Sequence, residues 1–111
     1  MNGLWALDIE TRSLDPRMND YAPLEPWRVR QGNAEISSIA VCKPDHSVVQ
    51  IINDKAQSQW EREVRDLLRS LKGKRVFAHF AGFDTAWLIT TLERNKFRSI
   101  PKEMTDILWA D

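Results

Sequence analysis

The chain opens on a short apolar run, Leu4-Trp5-Ala6-Leu7, that ends at Asp8, and this pattern predicts a buried central strand over Gly3 to Ile9 with polar chemistry at its exit. Between Thr11 and Asn33 the hydrophobic periodicity disappears. Pro16, Pro23, Pro26 and Gly32 interrupt any regular element there, so residues 12–33 are expected to form a long loop. Loops of that length inside a compact domain are more often functional than incidental. Glu35 to Val41 and Ser47 to Ile52 are rich in β-branched residues and predict a hairpin closed at Lys43-Pro44-Asp45-His46. From Ser58 the spacing turns helical, with Trp60, Val64, Leu67, Leu68 and Leu71 on one face and Glu61, Arg62, Arg65, Asp66 and Arg69 toward water. Gly73 is placed to end that helix. Arg75 to Ala78 predicts a short strand, Phe83, Trp87, Leu88 and Leu92 mark a second amphipathic helix reaching about Asn95, and a last short element begins near Met104. The resulting order, β, long loop, β, β, α, β, α and the start of a further β, predicts an α/β fold: a mixed sheet with helices packed on it, in one domain spanning residues 1–111.

Length agrees with that, since 111 residues are enough for one compact core at the lower end of usual domain sizes. Sixteen basic side chains balance sixteen acidic ones, so no global positive field marks a nucleic-acid partner, and any such binding has to come from a local patch. The single cysteine, Cys42, cannot form an internal disulfide, which fits a reducing cytoplasm, and its apolar surroundings predict a buried, inert thiol. No apolar stretch approaches the roughly 18 residues of a membrane span, and the N-terminus lacks the charged-then-apolar layout of a signal peptide. A soluble cytoplasmic protein is expected.

Candidate chemistry begins with Asp8 and Glu10. One residue apart on an extended strand, both carboxylates project from the same face within reach of one ion. Crowded carboxylates repel unless protonated or neutralised, and oxygen-only donors favour Mg²⁺ or Mn²⁺ over zinc. An Asp-x-Glu alone is equally well the hydrated end of a strand. Asp84, near the start of the second helix, is by itself an ordinary N-terminal helix residue; a preceding buried strand and the small Ala81-Gly82 pair make it a candidate third ligand. Asp106, in Thr105-Asp106 before Ile107-Leu108, is expected to cap a helix.

Together these stretches resemble the DEDD superfamily of 3′→5′ exonucleases, which includes the proofreading domains of family-A DNA polymerases and ribonuclease D. Leu7-Asp8-Ile9-Glu10-Thr11 resembles the first motif of that family. His79-Phe80-Ala81-Gly82-Phe83-Asp84 with Trp87-Leu88-Ile89 is similar to the second, and Met104-Thr105-Asp106-Ile107-Leu108 to the Asp-Thr-like stretch between the second and third. The likeness is greatest to the exonuclease domain of phage-type polymerases and spans the chain apart from Arg12 to Asn33. Each motif alone is weak; three in order on suitable elements are more specific. Two departures stand out. Phe80 occupies a position where the second motif usually has asparagine, and the third motif, a tyrosine or histidine four residues before an aspartate, is absent: Tyr21, His46 and His79 lie elsewhere, and Ile107 precedes Asp111 by four.

The resemblance implies an RNase H-like fold, truncated before its last helix, and hydrolysis of DNA from the 3′ end by two-metal catalysis. It assigns Asp8 as the ligand shared by both ions, Glu10 to the water-activating ion and Asp84 to the second, with Mg²⁺ or Mn²⁺ as cofactor. It places Thr11 and Leu14 against the terminal nucleotide. Phe83 is placed to stack on a base or to fill the core. Arg12, Arg17, Arg28 and Arg30 with Trp27 form a basic and aromatic cluster that tracks a single strand or is a solvated loop. Without the third motif the chain alone is expected to bind metal weakly and turn over slowly or not at all, with a polymerase domain or a second chain completing the fold. Truncation would also expose an apolar face near Ile107, Leu108 and Trp109 and favour self-association. The alternative function is a non-catalytic RNase H-like module for binding nucleic acid or protein.

Overall fold

The computed structural model describes residues 3–14, 26–29, 32–78, 81–93 and 100–110, with the side chains of Trp27, Arg28 and Ala81 outside that description. Five strands and two helices follow one another as β1 (Leu4–Ser13), a 3-10 turn (Pro26–Val29), β2 (Ala34–Cys42), β3 (Val48–Ile52), α1 (Gln57–Ser70), β4 (Arg75–Phe77), α2 (Ala81–Leu92), a second 3-10 turn (Lys102–Met104) and β5 (Leu108–Ala110). The sheet order is β3-β2-β1-β4-β5. β1, β2 and β3 are mutually antiparallel neighbours, whereas β4 runs parallel to both β1 and β5. This is an α/β fold with a mixed sheet. No helix among the described residues is long and apolar enough to cross a membrane.

β1 departs from its expected form in two ways. It alternates, Leu7 and Ile9 buried and Asp8 and Glu10 exposed, so it is covered on one face only. It also runs on to Ser13, past a register shift between Glu10 and Thr11. The extension has no apolar period to announce it. Backbone pairing to Ala34 sustains it, together with Arg12, whose Nε donates to Glu35 Oε1 at 2.8 Å and whose Nη2 donates to the Asn53 carbonyl at 2.9 Å. Asn53 itself is buried because its amide donates to Glu35 and to the Ile36 carbonyl.

The hairpin turn is an aspartate turn: Asp45 accepts from the Ser47 amide at 2.9 Å and from its hydroxyl at 2.6 Å, and His46 takes a positive φ of 71°. α1 buries Trp60, Val64, Leu67 and Leu68, with Leu71 beyond its end, and Gly73 in the left-handed region at φ 73° turns the chain into β4. α2 buries Trp87, Leu88 and Leu92; its buried threonines, Thr90 and Thr91, return their hydroxyls to the Ala86 and Trp87 carbonyls, each at 2.8 Å. These helix residues, with Val29, Met104 and Ile107, form a continuous core against Leu7, Ile9, Ile36, Ile39 and Val41 of the sheet.

The opposite face has a different character. Cross-strand register lines up Ala6 with Cys42 and Val48, Asp8 with Ala40 and Gln50, and Glu10 with Ser38 and Ile52. Cys42 therefore is not a core thiol: it sits half-buried on this face because the core side of β2 is taken by Val41. Asp106 caps no helix, since a strand follows it. It lies exposed in the turn, where its carbonyl accepts the Gly73 amide at 2.7 Å. The expected apolar face shrinks accordingly, with Ile107 buried, Trp109 packed against the core and Leu108 alone exposed.

Candidate active site

The two acids of β1 stand at the middle of the sheet. Asp8 and Glu10 occupy alternate positions, both exposed on the face away from the helices. Their cross-strand neighbours on β2, Ala40 and Ser38, are small, which leaves the carboxylates uncrowded. Ala6, Asp8, Ala40, Cys42, Val48 and Phe77 border a shallow depression of about 340 Å³ on the same face. Its walls are apolar and Asp8 is its one charged member, so a ligand settled there meets a carboxylate across a surface of low polarity.

β4 lies directly beside β1, with Phe77 opposite Ala6, and leads through the buried Ala78 toward α2. Asp84 falls in the first turn of that helix, where its charge complements the positive end of the helix dipole. It is 6% exposed and engaged with its surroundings. The structure thus brings Asp8 and Glu10 together and keeps Asp84 separate: among the described residues no group of three or more histidine, cysteine, aspartate or glutamate side chains could hold a metal ion. As a donor set, the exposed pair fits a hard divalent cation in kind, being all oxygen and anionic.

Of the expected nucleotide contacts, Thr11 is half-buried just past the register shift, and Leu14 is exposed with its amide bound to the Asn33 carbonyl at 2.7 Å. Phe83 is exposed rather than core, its ring 5.9 Å from that of Trp87 and tilted by 56°. The backbone of Arg28 belongs to the first 3-10 turn, anchored by the buried Val29. Its side chain lies outside the described residues, as do Arg17, Arg30, Tyr21, His79, Phe80 and Asp111. Arg12 leaves the proposed basic cluster, because Glu35 and the Asn53 carbonyl occupy its guanidinium.

Residue patterns alone miss Ser38, Ala40, Gln50 and Phe77 as the surroundings of the acid pair. The signal that reaches the first three is the hairpin: with Lys43 bonded to the Ser47 carbonyl, counting back along both strands fixes every cross-strand pair up to Asn53. No protein-family model matches the chain, and a search of curated proteins finds no match either.

Proposed function

We propose that the chain is part of a DEDD-type 3′→5′ exonuclease domain with an RNase H-like sheet, acting on a DNA 3′ end with Mg²⁺ or Mn²⁺ and serving polymerase proofreading. One observation carries the proposal: Asp8 and Glu10 lie side by side, exposed, on the central strand of a sheet ordered β3-β2-β1-β4-β5. Two like charges at that spacing repel each other and contribute no core packing, so their placement is explained by a cation that both can bind. The adjoining β4 feeding α2, which carries Asp84 in its first turn, supports the same assignment.

In the proposed site Asp8 and Glu10 hold the cation from the open face, and Asp84 contributes from α2. A bound divalent ion supplies charge neutralisation at the phosphodiester and acidifies a water at neutral pH. The exposed Phe83 offers a ring to a terminal base, while Thr11 and Leu14 lie just past the acid pair along the chain. No tyrosine or histidine stands four residues before an aspartate anywhere in the chain, so the group that orients the attacking water in the family has no counterpart, and turnover by this polypeptide is slow or nil.

Metal-linked stability is therefore the more sensitive test. A ligand that binds only the folded state raises its melting temperature. Mn²⁺ is expected to raise the Tm of the wild-type chain, and Asp8→Ala and Glu10→Ala are each expected to abolish the rise while Asp106→Ala keeps it. Equal melting of all four proteins with and without Mn²⁺ would sink the proposal. The alternative, a non-catalytic binding module on the same scaffold, is favoured by the burial of Asp84 apart from the exposed pair. It calls for binding of single-stranded DNA that neither Mn²⁺ nor Asp8→Ala alters.

A further inference from the structure

β3 forms one edge of the sheet and carries none of the usual protections. Its five residues, Val48-Val49-Gln50-Ile51-Ile52, contain no charge and no proline and pair with β2 without a bulge. Val48 is 63% and Ile52 50% exposed on the open face, and Val49 is exposed on the other. An edge of this composition is a template for another strand.

The direction in which its backbone groups point can be worked out. Lys43 donates to the Ser47 carbonyl at 2.8 Å, and Asn53 donates to the Ser37 carbonyl at 2.9 Å. Antiparallel hydrogen bonding alternates, so residues 47, 49, 51 and 53 turn their groups toward β2, leaving Val48, Gln50 and Ile52 to present theirs on the outer edge.

We propose that this edge pairs with the β3 edge of a second copy of the chain, antiparallel, about a twofold axis through Gln50. That register overlaps all five residues. It sets Val48 opposite Ile52 of the second copy, Val49 opposite its Ile51, and Gln50 opposite Gln50, so four of the five pairs join β-branched side chains and the central one joins two amides. It also brings together the outward groups of 48, 50 and 52 on both sides, as the ladder requires. The flanking charges agree in sign: the axis carries Asp45 toward Lys55 of the second copy and His46 toward its Asp54. Lys55 is already held by Glu63 at 2.6 Å, so these ends set the register more than they add strength.

A five-residue edge covers less than the roughly 1,200 Å² of a standard stable interface, so the pairing is a transient, concentration-dependent dimer. Its twofold axis is normal to the sheet and keeps both open faces on one side. The two Asp8–Glu10 pairs then lie roughly 24 Å apart, five strand spacings at about 4.8 Å each.

Sedimentation of the chain from about 1 μM to about 1 mM tests the proposal, with two charge variants at the axis, Gln50→Lys and Gln50→Glu. Gln50 is exposed, and unchanged melting of each variant confirms folding. The wild type is expected to shift toward dimer with concentration. Each variant alone, placing like charges opposite each other, is expected to associate at least about tenfold more weakly, and an equimolar mixture to associate again. A wild type that stays monomeric throughout overturns the proposal, as does a dimer that both variants retain or a mixture that fails to recover.

Discussion

Arg65 of α1 reaches Glu103 at 3.1 Å, and only 3% of the Glu103 side chain is exposed. The same guanidinium donates to the Leu92 carbonyl at 3.1 Å, and Arg69 adds a second bond to Glu103 at 3.2 Å. One buried carboxylate thus joins α1 to the second 3-10 turn, and Arg65 joins both to the end of α2. Removing one partner of a buried pair leaves the other charge uncompensated. Arg65→Ala is expected to cost about 3 kcal/mol in urea unfolding. Arg69, more than half exposed and also paired with Asp66, should cost under about 1 kcal/mol when truncated. Equal losses from the two variants would show that Glu103 does not depend chiefly on Arg65.

Trp87 presents the opposite case. Its indole is fully buried, and its Nε1 has no hydrogen-bond partner among the described residues. An unpaired buried donor costs about 1–3 kcal/mol. Trp87→Phe removes that penalty while keeping most of the ring, so it is expected to lose no more than about 1 kcal/mol, against about 3–5 kcal/mol for Trp87→Ala. Thermal or urea unfolding of the two variants checks the contrast; a Phe variant as damaging as the Ala variant would mean that the N–H is satisfied or that shape alone governs the site.

α1 is legible in the sequence residue by residue, because Trp60, Val64, Leu67, Leu68 and Leu71 repeat at helical spacing and each of them is buried. β1 is legible only as far as Ile9. Its continuation to Ser13 depends on Arg12, Glu35 and Asn53, which are distant in sequence and carry no periodic signal. Asp8 and Glu10 as a same-face pair follow from strand geometry alone. The place of Asp84 does not follow, since the approach of a helix to a strand is set by tertiary packing. Cys42 looks buried by its neighbours, yet a one-residue difference in register decides which face it occupies, and only the pairing of Val41 settles that. Leu108 and Asp106 mislead for a related reason: an acidic residue before an apolar pair begins a helix or ends a turn, and here the ladder to Lys74 makes it a strand.

The hairpin turn has a pH signature. Asp45 is held below the usual carboxylate range, first by the Ser47 hydroxyl and then by the Ser47 amide. A depressed folded-state pKa contributes stability above the unfolded value, and that contribution is lost as pH falls through the folded one. The turn is therefore insensitive near neutrality and loosens only on acidification below the ordinary aspartate range. Ser47→Ala removes the largest cause, and carboxyl NMR titration of Asp45 should move upward toward its ordinary value. An unmoved titration would mean that the hydroxyl is not what holds the charge.

Function and stability make opposite demands on the three acids, and substitution can separate them. Asp8 and Glu10 are exposed, have small neighbours in Ala40 and Ser38, and repel each other. Replacing either with alanine should change stability in the absence of metal by no more than about 0.5 kcal/mol, and the change should favour folding because a like-charge contact is relieved. Asp84, buried in the first turn of α2 and engaged there, should cost about 1–2 kcal/mol when replaced by alanine, through a lost partner and a weakened helix start. Urea unfolding in chelator measures all three. If Asp8→Ala proves as destabilising as Asp84→Ala, the pair on β1 has a structural partner and its exposure needs no cation to explain it. If Asp8 and Glu10 cost nothing in chelator yet govern stability once Mn²⁺ is added, their place at the centre of the sheet serves the ion and not the fold.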